Sequence, residues 1–345
     1  MTKPMAKRRL TGQQQKRIDS IMALKQKRET KRNIKADEKL EGEAGPAYTG
    51  LIITHFGVTL DVEATDGPYK GQVYRCYKRA NVPALITGDE VIWHMCADEE
   101  GVIVAVCDRR SLLSRPDVRG QMKPVASNID QIFIIAAPSP NTPLNLIDRY
   151  LVAAYACNIK PIIVLNKQDL LTPDHPLIDG LKEYEKLGFQ CLTLSSHDEK
   201  SIEQITELAQ NKISIFVGQS AVGKSSLINA LFEDVNAKTN EVSLATGKGK
   251  HTTTTARLYH GENGCDLIDS PGVREFGLWH VDEDTLIEAF SELSHAGFSC
   301  KFRDCKHKTE PGCAVTKALE NGHISQRRFD SFTTIRNSLN EVEMR

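Results

Sequence analysis

Gly218, Gln219, Ser220, Ala221, Val222, Gly223, Lys224 and Ser225 match G-x-x-x-x-G-K-[ST], a spacing whose chemistry is polyphosphate binding. Residues 213–217 ahead of them read as a buried strand, and after them Leu227, Ile228 and Leu231 recur at helical spacing. A strand that enters a tight glycine loop and then a helix aims backbone N–H groups and the positive end of the helix dipole at one point. Lys224 would reach the β- and γ-phosphates there. The Ser225 hydroxyl, with Ser226 beside it, would sit on Mg²⁺.

Phosphate loops serve adenine and guanine nucleotides alike, so the base must be read elsewhere. Asn166, Lys167, Gln168 and Asp169 follow the apolar run 161–165 and match N-K-x-D, the guanine-reading motif of Ras-like GTPases. The Asp169 carboxylate can accept from guanine N1–H and N2–H₂; adenine offers no donor at those positions and would leave the carboxylate unpaired. Ser195 and Ser196, after the strand 190–194, resemble the loop those enzymes place over the guanine carbonyl. Asp269 and Gly272 supply D-x-x-G, with Asp269 towards Mg²⁺ and the Gly272 N–H towards the γ-phosphate. In ordinary GTPases the phosphate loop comes first; here N-K-x-D and the serine loop precede it, so the domain is circularly permuted. Domain termini lie close together at the surface, which makes such a rearrangement tolerable. It also sends the segment after D-x-x-G directly into the C-terminal part, so that a change at the γ-phosphate is expected to move the last domain.

The elements that hold these groups follow from pattern. Between about 127 and 276 apolar strands alternate with helices, among them a helix with Leu144, Ile147, Leu151 and Ala154 on one face, and alternation of this kind means a parallel sheet covered by helices. Between 48 and 115 there are instead five short strands with turn signals, at 51–54, 58–62, 72–77, 90–94 and 102–106. Those strands suit an OB-type barrel or an SH3-like one. Tyr74, Tyr77, Lys78 and Arg79 offer rings and cations together, as single-strand binders do, or pack against the barrel itself. Residues 109–115 read as a basic exit segment into the next domain.

Bulk composition excludes some classes. No apolar run in the 345 residues reaches the roughly 18 of a membrane helix, and the basic N-terminus has no apolar segment of the secretory kind. Nine scattered cysteines suit a reducing compartment rather than a disulfide framework. Of 44 Lys/Arg and 45 Asp/Glu, thirteen and four fall within residues 1–40, leaving 31 and 41 for the rest. A basic arm on an acidic body points to an anionic partner, RNA foremost. Residues 1–44 are expected to be disordered, with Ile18, Ile21, Met22 and Leu24 able to form a short helix on binding.

Past Val281 the chain reads as helical, interrupted by Cys300, Cys305, His307 and Cys313. Three thiolates and an imidazole within fourteen residues have the composition of a closed structural zinc site. Lys301, Arg303, Lys306 and Lys308 interleave with the ligands and could meet phosphate.

A β-barrel, a permuted GTPase and a zinc-bearing helical tail together resemble the bacterial YjeQ (RsgA) family of small-ribosomal-subunit biogenesis GTPases, from about residue 45 to the end. The C-x₄-C-x-H-x₅-C spacing matches that family. The resemblance implies an OB-fold barrel (45–115) contacting rRNA, a GTPase domain (116–280) and a helical zinc domain (281–345) behind the arm (1–44). It implies Mg²⁺-dependent hydrolysis of GTP to GDP, one structural Zn²⁺ per chain, and turnover stimulated by the 30S subunit late in its maturation. The expected partners are that subunit with its 16S rRNA, and the expected state is a cytoplasmic monomer. Val273 stands where Ras-like enzymes carry a water-orienting glutamine, so intrinsic turnover should be slow. Residues 247–255 fill the switch I position, and by the family's G-[RK]-H-T-T segment His251 would position the attacking water. Val273 also leaves open a GTP-binding RNA adaptor with little useful hydrolysis, and the target could be another structured RNA.

Overall fold

Alternating burial along residues 59–64 is what a strand with one face on a core produces, and this strand belongs to a closed five-stranded barrel. The computed structural model describes residues 45–56, 59–96, 99–116, 121–232, 256–261, 264–269, 278, 281–308 and 310–343. Two compact units divide it: 45–85 with 89–108, and 86–88 with everything from 109 onward. The expected arm helix, His251 and the rest of 247–255, Gly272 and Val273 lie outside the described residues.

In the first unit β1 (Ala47–Phe56), β2 (Thr59–Ala64) and β3 (Val73–Lys78) form an antiparallel meander. Strand β5 (Gly101–Val106) lies parallel to β3, β4 (Glu90–Met95) pairs antiparallel to β5, and β4 returns to β1, closing the ring. That parallel pairing and that closure decide for the OB-type barrel over the SH3-like one. Ile52, Leu60, Val62, Val91, Trp93 and Ile103 fill it. Trp93 fits because Gly50 and Gly101 leave room; a Cβ on Gly101 would come 2.7 Å from its ring. Tyr74 packs its ring 5.4 Å from Trp93 and 5.5 Å from Tyr69, the Tyr77 hydroxyl donates to Glu100 at 3.1 Å, and Lys78 Nζ donates to Val82 O at 2.8 Å. Those groups serve the barrel's own packing.

The second unit opens with a ribbon that the sequence pattern did not show, β6 (Leu112–Pro116) antiparallel to β7 (Met122–Ser127), where a basic connector was expected. Its sheet has the order β10 (Gln190–Thr193), β9 (Lys160–Leu165), β8 (Gln131–Ala136), β11 (Lys212–Val217), β13 (Cys265–Asp269), β12 (Arg257–His260). All pairs are parallel except β12 with β13. Every residue of β8 is buried, as a central strand covered on both faces requires. Helices α1 (Leu144–Ala156), α2 (Pro176–Lys186), α3 (Glu199–Ala209) and α4 (Lys224–Leu231) cover the sheet, with Ile205 and Leu227 packed against Phe133, Phe216 and Leu267.

Among the described residues four more helices follow: α5 (Glu283–Ala289), α6 (Ser291–Gly297), α7 (Ala314–Glu320) and α8 (Gln326–Glu343). Leu286, Phe290, Leu293, Val315, Phe332 and Ile335 form their core, and Val152 of α1 belongs to the same cluster. No helix among the described residues is long and apolar enough to cross a membrane.

Candidate functional site

Three glycine-like backbone conformations make the loop after β11. Gly218 has φ 145°, Ala221 φ 65° and Gly223 φ 98°, a run that turns the chain from strand into α4. Neither glycine tolerates a side chain: a Cβ at Gly218 would lie 2.3 Å from Ile135 O, and one at Gly223 2.2 Å from Asn166 Nδ2. The loop rims a cavity of about 500 Å³ lined by Lys167, Gly218, Ser220, Lys224, Ser225 and Asp269, with Ser226 also on its wall. Lys224 Nζ is held over the loop by the carbonyls of Gly218, at 2.8 Å, and Gln219. Val222 is fully buried beneath it.

Asn166 joins this loop to the base-reading residues. Its side chain is fully buried; Nδ2 donates to Val222 O at 3.0 Å and Oδ1 accepts from the Ser196 N–H at 3.2 Å. One amide thus ties together the ends of β9, β10 and β11. Lys167 sits in the left-handed region and its ammonium donates to Ala221 O at 2.8 Å and to Ser139 O at 2.7 Å, laying its stem across the cavity rim. Asp169 is exposed, and its Oδ1 accepts from the Ser195 hydroxyl at 3.1 Å. Ser195 N–H donates to the Ser201 hydroxyl at 3.3 Å, and Ser201 is anchored by Asp198, the N-cap of α3. Hydrogen bonds from Ser201 hold the Asp198 carboxyl below the ordinary carboxylate range. Of the site residues read from sequence, those of the phosphate loop, N-K-x-D, the serine pair and Asp269 converge here. Ser139 and Ser201 were missed, one because it acts through a backbone carbonyl, the other because its role needs the turn of α3.

The second constellation lies between α6 and α7. The ligand atoms of Cys300, Cys305, His307 and Cys313 all fall within 4.8 Å of one another, a cluster found among the described residues. His307 Nδ1 is 3.6 Å from Cys300 Sγ and 3.5 Å from Cys313 Sγ, and the two sulfurs are 4.0 Å apart. A zinc tetrahedron with Zn–S about 2.3 Å and Zn–N about 2.0 Å has S···S and S···N edges of about 3.8 and 3.5 Å. The donor set fits such an ion. Burial lowers the His307 imidazole, keeping it in the neutral form that ligates, and pushes the Cys305 thiol up to about 11, so a metal must displace that proton. Burial acts the same way on Cys313, but hydrogen bonds involving Thr316, at the start of α7, together with those of the neighbouring Cys305 and Cys300 thiols, outweigh it and lower that thiol.

A third feature has no counterpart in the motifs. Asp148 of α1 is fully buried; its Oδ1 accepts from Arg328 at 2.5 Å and from the Tyr184 hydroxyl at 2.7 Å, and its Oδ2 accepts from Arg327 at 2.8 Å. Glu292 and Glu183 complete the charges, at 2.6 Å from Arg328 Nε and Arg327 Nε. Burial works against both guanidinium charges, but Asp148 together with Tyr184 and Glu183 (for Arg327) or Glu292 (for Arg328) outweighs it, and both groups are raised. The Arg328 guanidinium also lies 4.0 Å from the Phe290 ring centroid. These contacts fix α8 to α1 and α2. A cleft of about 790 Å³ is bordered by this network and lacks the phosphate-loop residues.

A parallel sheet with a phosphate loop after β11, and with N-K-x-D two strands away and earlier in the chain, defines a circularly permuted P-loop GTPase. The family model described as RsgA GTPase matches residues 106–279. A small ribosomal subunit biogenesis GTPase RsgA of Pseudomonas fluorescens (strain Pf-5) is 50% identical over 338 residues, 97% of this chain and 98% of that protein. The protein of the same description from Hahella chejuensis is 47% identical over 344 residues, 99% of each chain. Among solved structures, YjeQ from Thermotoga maritima has a TM-score of 0.69 at 28% identity, covering 85% of this chain and 99% of that one. YloQ, described as a circularly permuted GTPase, has a TM-score of 0.69 at 26% identity and covers 87% and 97%. This chain belongs to the RsgA GTPase family.

Proposed function

We propose that the protein hydrolyses GTP in the late maturation of the small ribosomal subunit, and that docking on the subunit raises its turnover. The reading is supported by the Asn166 bridge, which ties the phosphate loop to the serine loop, whose Ser195 hydroxyl donates to the guanine-matching carboxylate of Asp169. Asn166, Lys167, Asp169, Ser195 and Ser196 would take the base; residues 218–226 would take the phosphates, with the Gly272 N–H on the γ-phosphate. Ser225 and Asp269 would hold Mg²⁺, which supplies charge neutralisation between the β- and γ-phosphates when bound. Positioning and electrostatics supply most of the acceleration in phosphoryl transfer. With Val273 in place of a glutamine, His251 orients the water on the docked subunit. Zn²⁺ on Cys300, Cys305, His307 and Cys313 is structural, since four protein ligands leave no open position.

The domains are the arm (1–44), the rRNA-contacting barrel (45–115), the GTPase (116–280) and the zinc domain (281–345). The protein acts as a cytoplasmic monomer on the 30S subunit and its 16S rRNA. Turnover of GTP and ATP with no addition, with purified 30S, with 50S and with free RNA tests this. Selective stimulation of GTP turnover by 30S is expected, and His251→Ala should keep GTP affinity while losing that stimulation by orders of magnitude. Equal stimulation by 50S or free RNA would move the target. No turnover under any condition would leave a GTP-binding adaptor.

A further inference from the structure

The guanine-matching carboxylate stands at the end of a chain of hydrogen bonds that starts on α3, outside every motif of the site. Ser195 is tied at three atoms. Its N–H donates to the Ser201 hydroxyl at 3.3 Å, its carbonyl accepts from the Asp198 N–H at 3.1 Å, and its own hydroxyl donates to Asp169 Oδ1 at 3.1 Å. The His197 N–H donates to that same hydroxyl at 3.4 Å, which leaves its proton for Asp169.

Ser201 is where the chain turns into the helix. It is 6% exposed, and both its N–H, at 3.0 Å, and its hydroxyl, at 2.6 Å, donate to Asp198 Oδ2. Capping of α3 by Asp198 needs only the first of these bonds. The second acts on the serine loop instead. A hydroxyl that donates to a carboxylate is a better acceptor, so the Asp198 charge strengthens the hold on the Ser195 N–H. At the far end the Ser195 hydroxyl takes one lone pair of Asp169 Oδ1 and leaves acceptor capacity on both carboxylate oxygens. Guanine presents two donors side by side, N1–H and the N2 amino group. A carboxylate meets both only while its plane is held, and a loosened one gives up the second bond first.

We propose that Ser201, with Asp198 behind it, is a positioning residue for the base. Acting through Ser195, it sets the angle of the Asp169 carboxylate and with it the preference for a purine that carries the N2 amino group. The proposal rests on the guanine-site reading above.

The test measures Kd of the full-length protein for GDP, IDP and ADP by competition against a fluorescent GDP analogue. IDP lacks only the N2 amino group, so the ratio of GDP to IDP affinity reads the second hydrogen bond by itself. Ser201→Ala should raise Kd for GDP about three- to tenfold, the scale of one net hydrogen bond, and change Kd for IDP by less than about twofold. Asp198→Ser keeps a residue able to cap α3 but removes the carboxylate from the Ser201 hydroxyl, and should narrow the ratio in the same direction. Ser201→Thr retains the hydroxyl and should restore the ratio. A role confined to the stability of α3 would weaken both nucleotides together or neither. An unchanged ratio in Ser201→Ala and Asp198→Ser, or an equal loss on GDP and IDP, therefore overturns the proposal. A parent that binds ADP as tightly as GDP would count against the guanine reading itself and would overturn this proposal with it.

Discussion

Arg328 and Asp148 form a buried ion pair at 2.5 Å although they stand 180 residues apart in the chain. Their side chains are 2% and 0% exposed. Asp148 also takes Arg327, so one carboxylate on the helix after β8 holds the N-terminal end of the last helix. The permuted order makes this contact consequential. Covalently, the C-terminal helices hang from the segment after Asp269; through Asp148 they are also tied to the helix that follows the Ser139 loop, which Lys167 touches.

Asp148→Asn keeps the shape but leaves two guanidinium groups without their shared charge. Breaking a buried pair in this way costs about 3–5 kcal/mol. Amide hydrogen exchange should accelerate in α8 and α5, while the barrel strands β1–β5 exchange as in the parent. Unchanged α8 protection would mean that the apolar cluster around Phe332 alone holds the helix.

Gly223→Ala should abolish tight nucleotide binding. At φ 98° an L-residue is strained, and the new Cβ would strike Asn166 Nδ2 at 2.2 Å, displacing the bridge between phosphate loop and serine loop. Titration with a fluorescent GDP analogue should show a loss of about tenfold or more, the equivalent of about 1.4 kcal/mol. Gly188→Ala is the control: its φ is 87° but nothing lies within 4 Å, so stability should fall slightly and affinity should not.

Asp169→Asn exchanges an acceptor for an amide that can donate to a C2 carbonyl. Guanine nucleotide affinity should fall about ten- to hundredfold, the 1–3 kcal/mol of a mismatched hydrogen bond, while xanthine nucleotide gains. Competition between GDP and XDP measures both. Parent-like GDP affinity would remove Asp169 from the base site.

Metal analysis of the purified protein should find about one zinc per chain, and Cys305→Ala should lose it. Exchange should rise across 300–313 and α7, whose first turn is capped by Cys313. A metal-free parent with a protected knuckle would rule the site out.

The phosphate loop, N-K-x-D and the cysteine knuckle were legible in the sequence because each is short. Their geometry is set by residues within one turn or one loop, so residue type and spacing carry it. The sheet strands were legible for a related reason: β8 is apolar at almost every position, as burial on both faces demands. Strand β12 and the β6–β7 ribbon were not. Arg257–His260 carries one buried residue and two polar ends, and becomes a strand only because β13 lies beside it. The barrel type was undecided until β4 met β1 and β3 met β5, pairings between segments that no local pattern links. What Asn166 does was likewise beyond the motif, since its partners Val222 and Ser196 are 56 and 30 residues away. Arg327 and Arg328 belong to no motif, and nothing in their spacing marks them as buried. Burial of a charge is allowed only where an opposite one meets it, and that meeting is made by the tertiary fold alone.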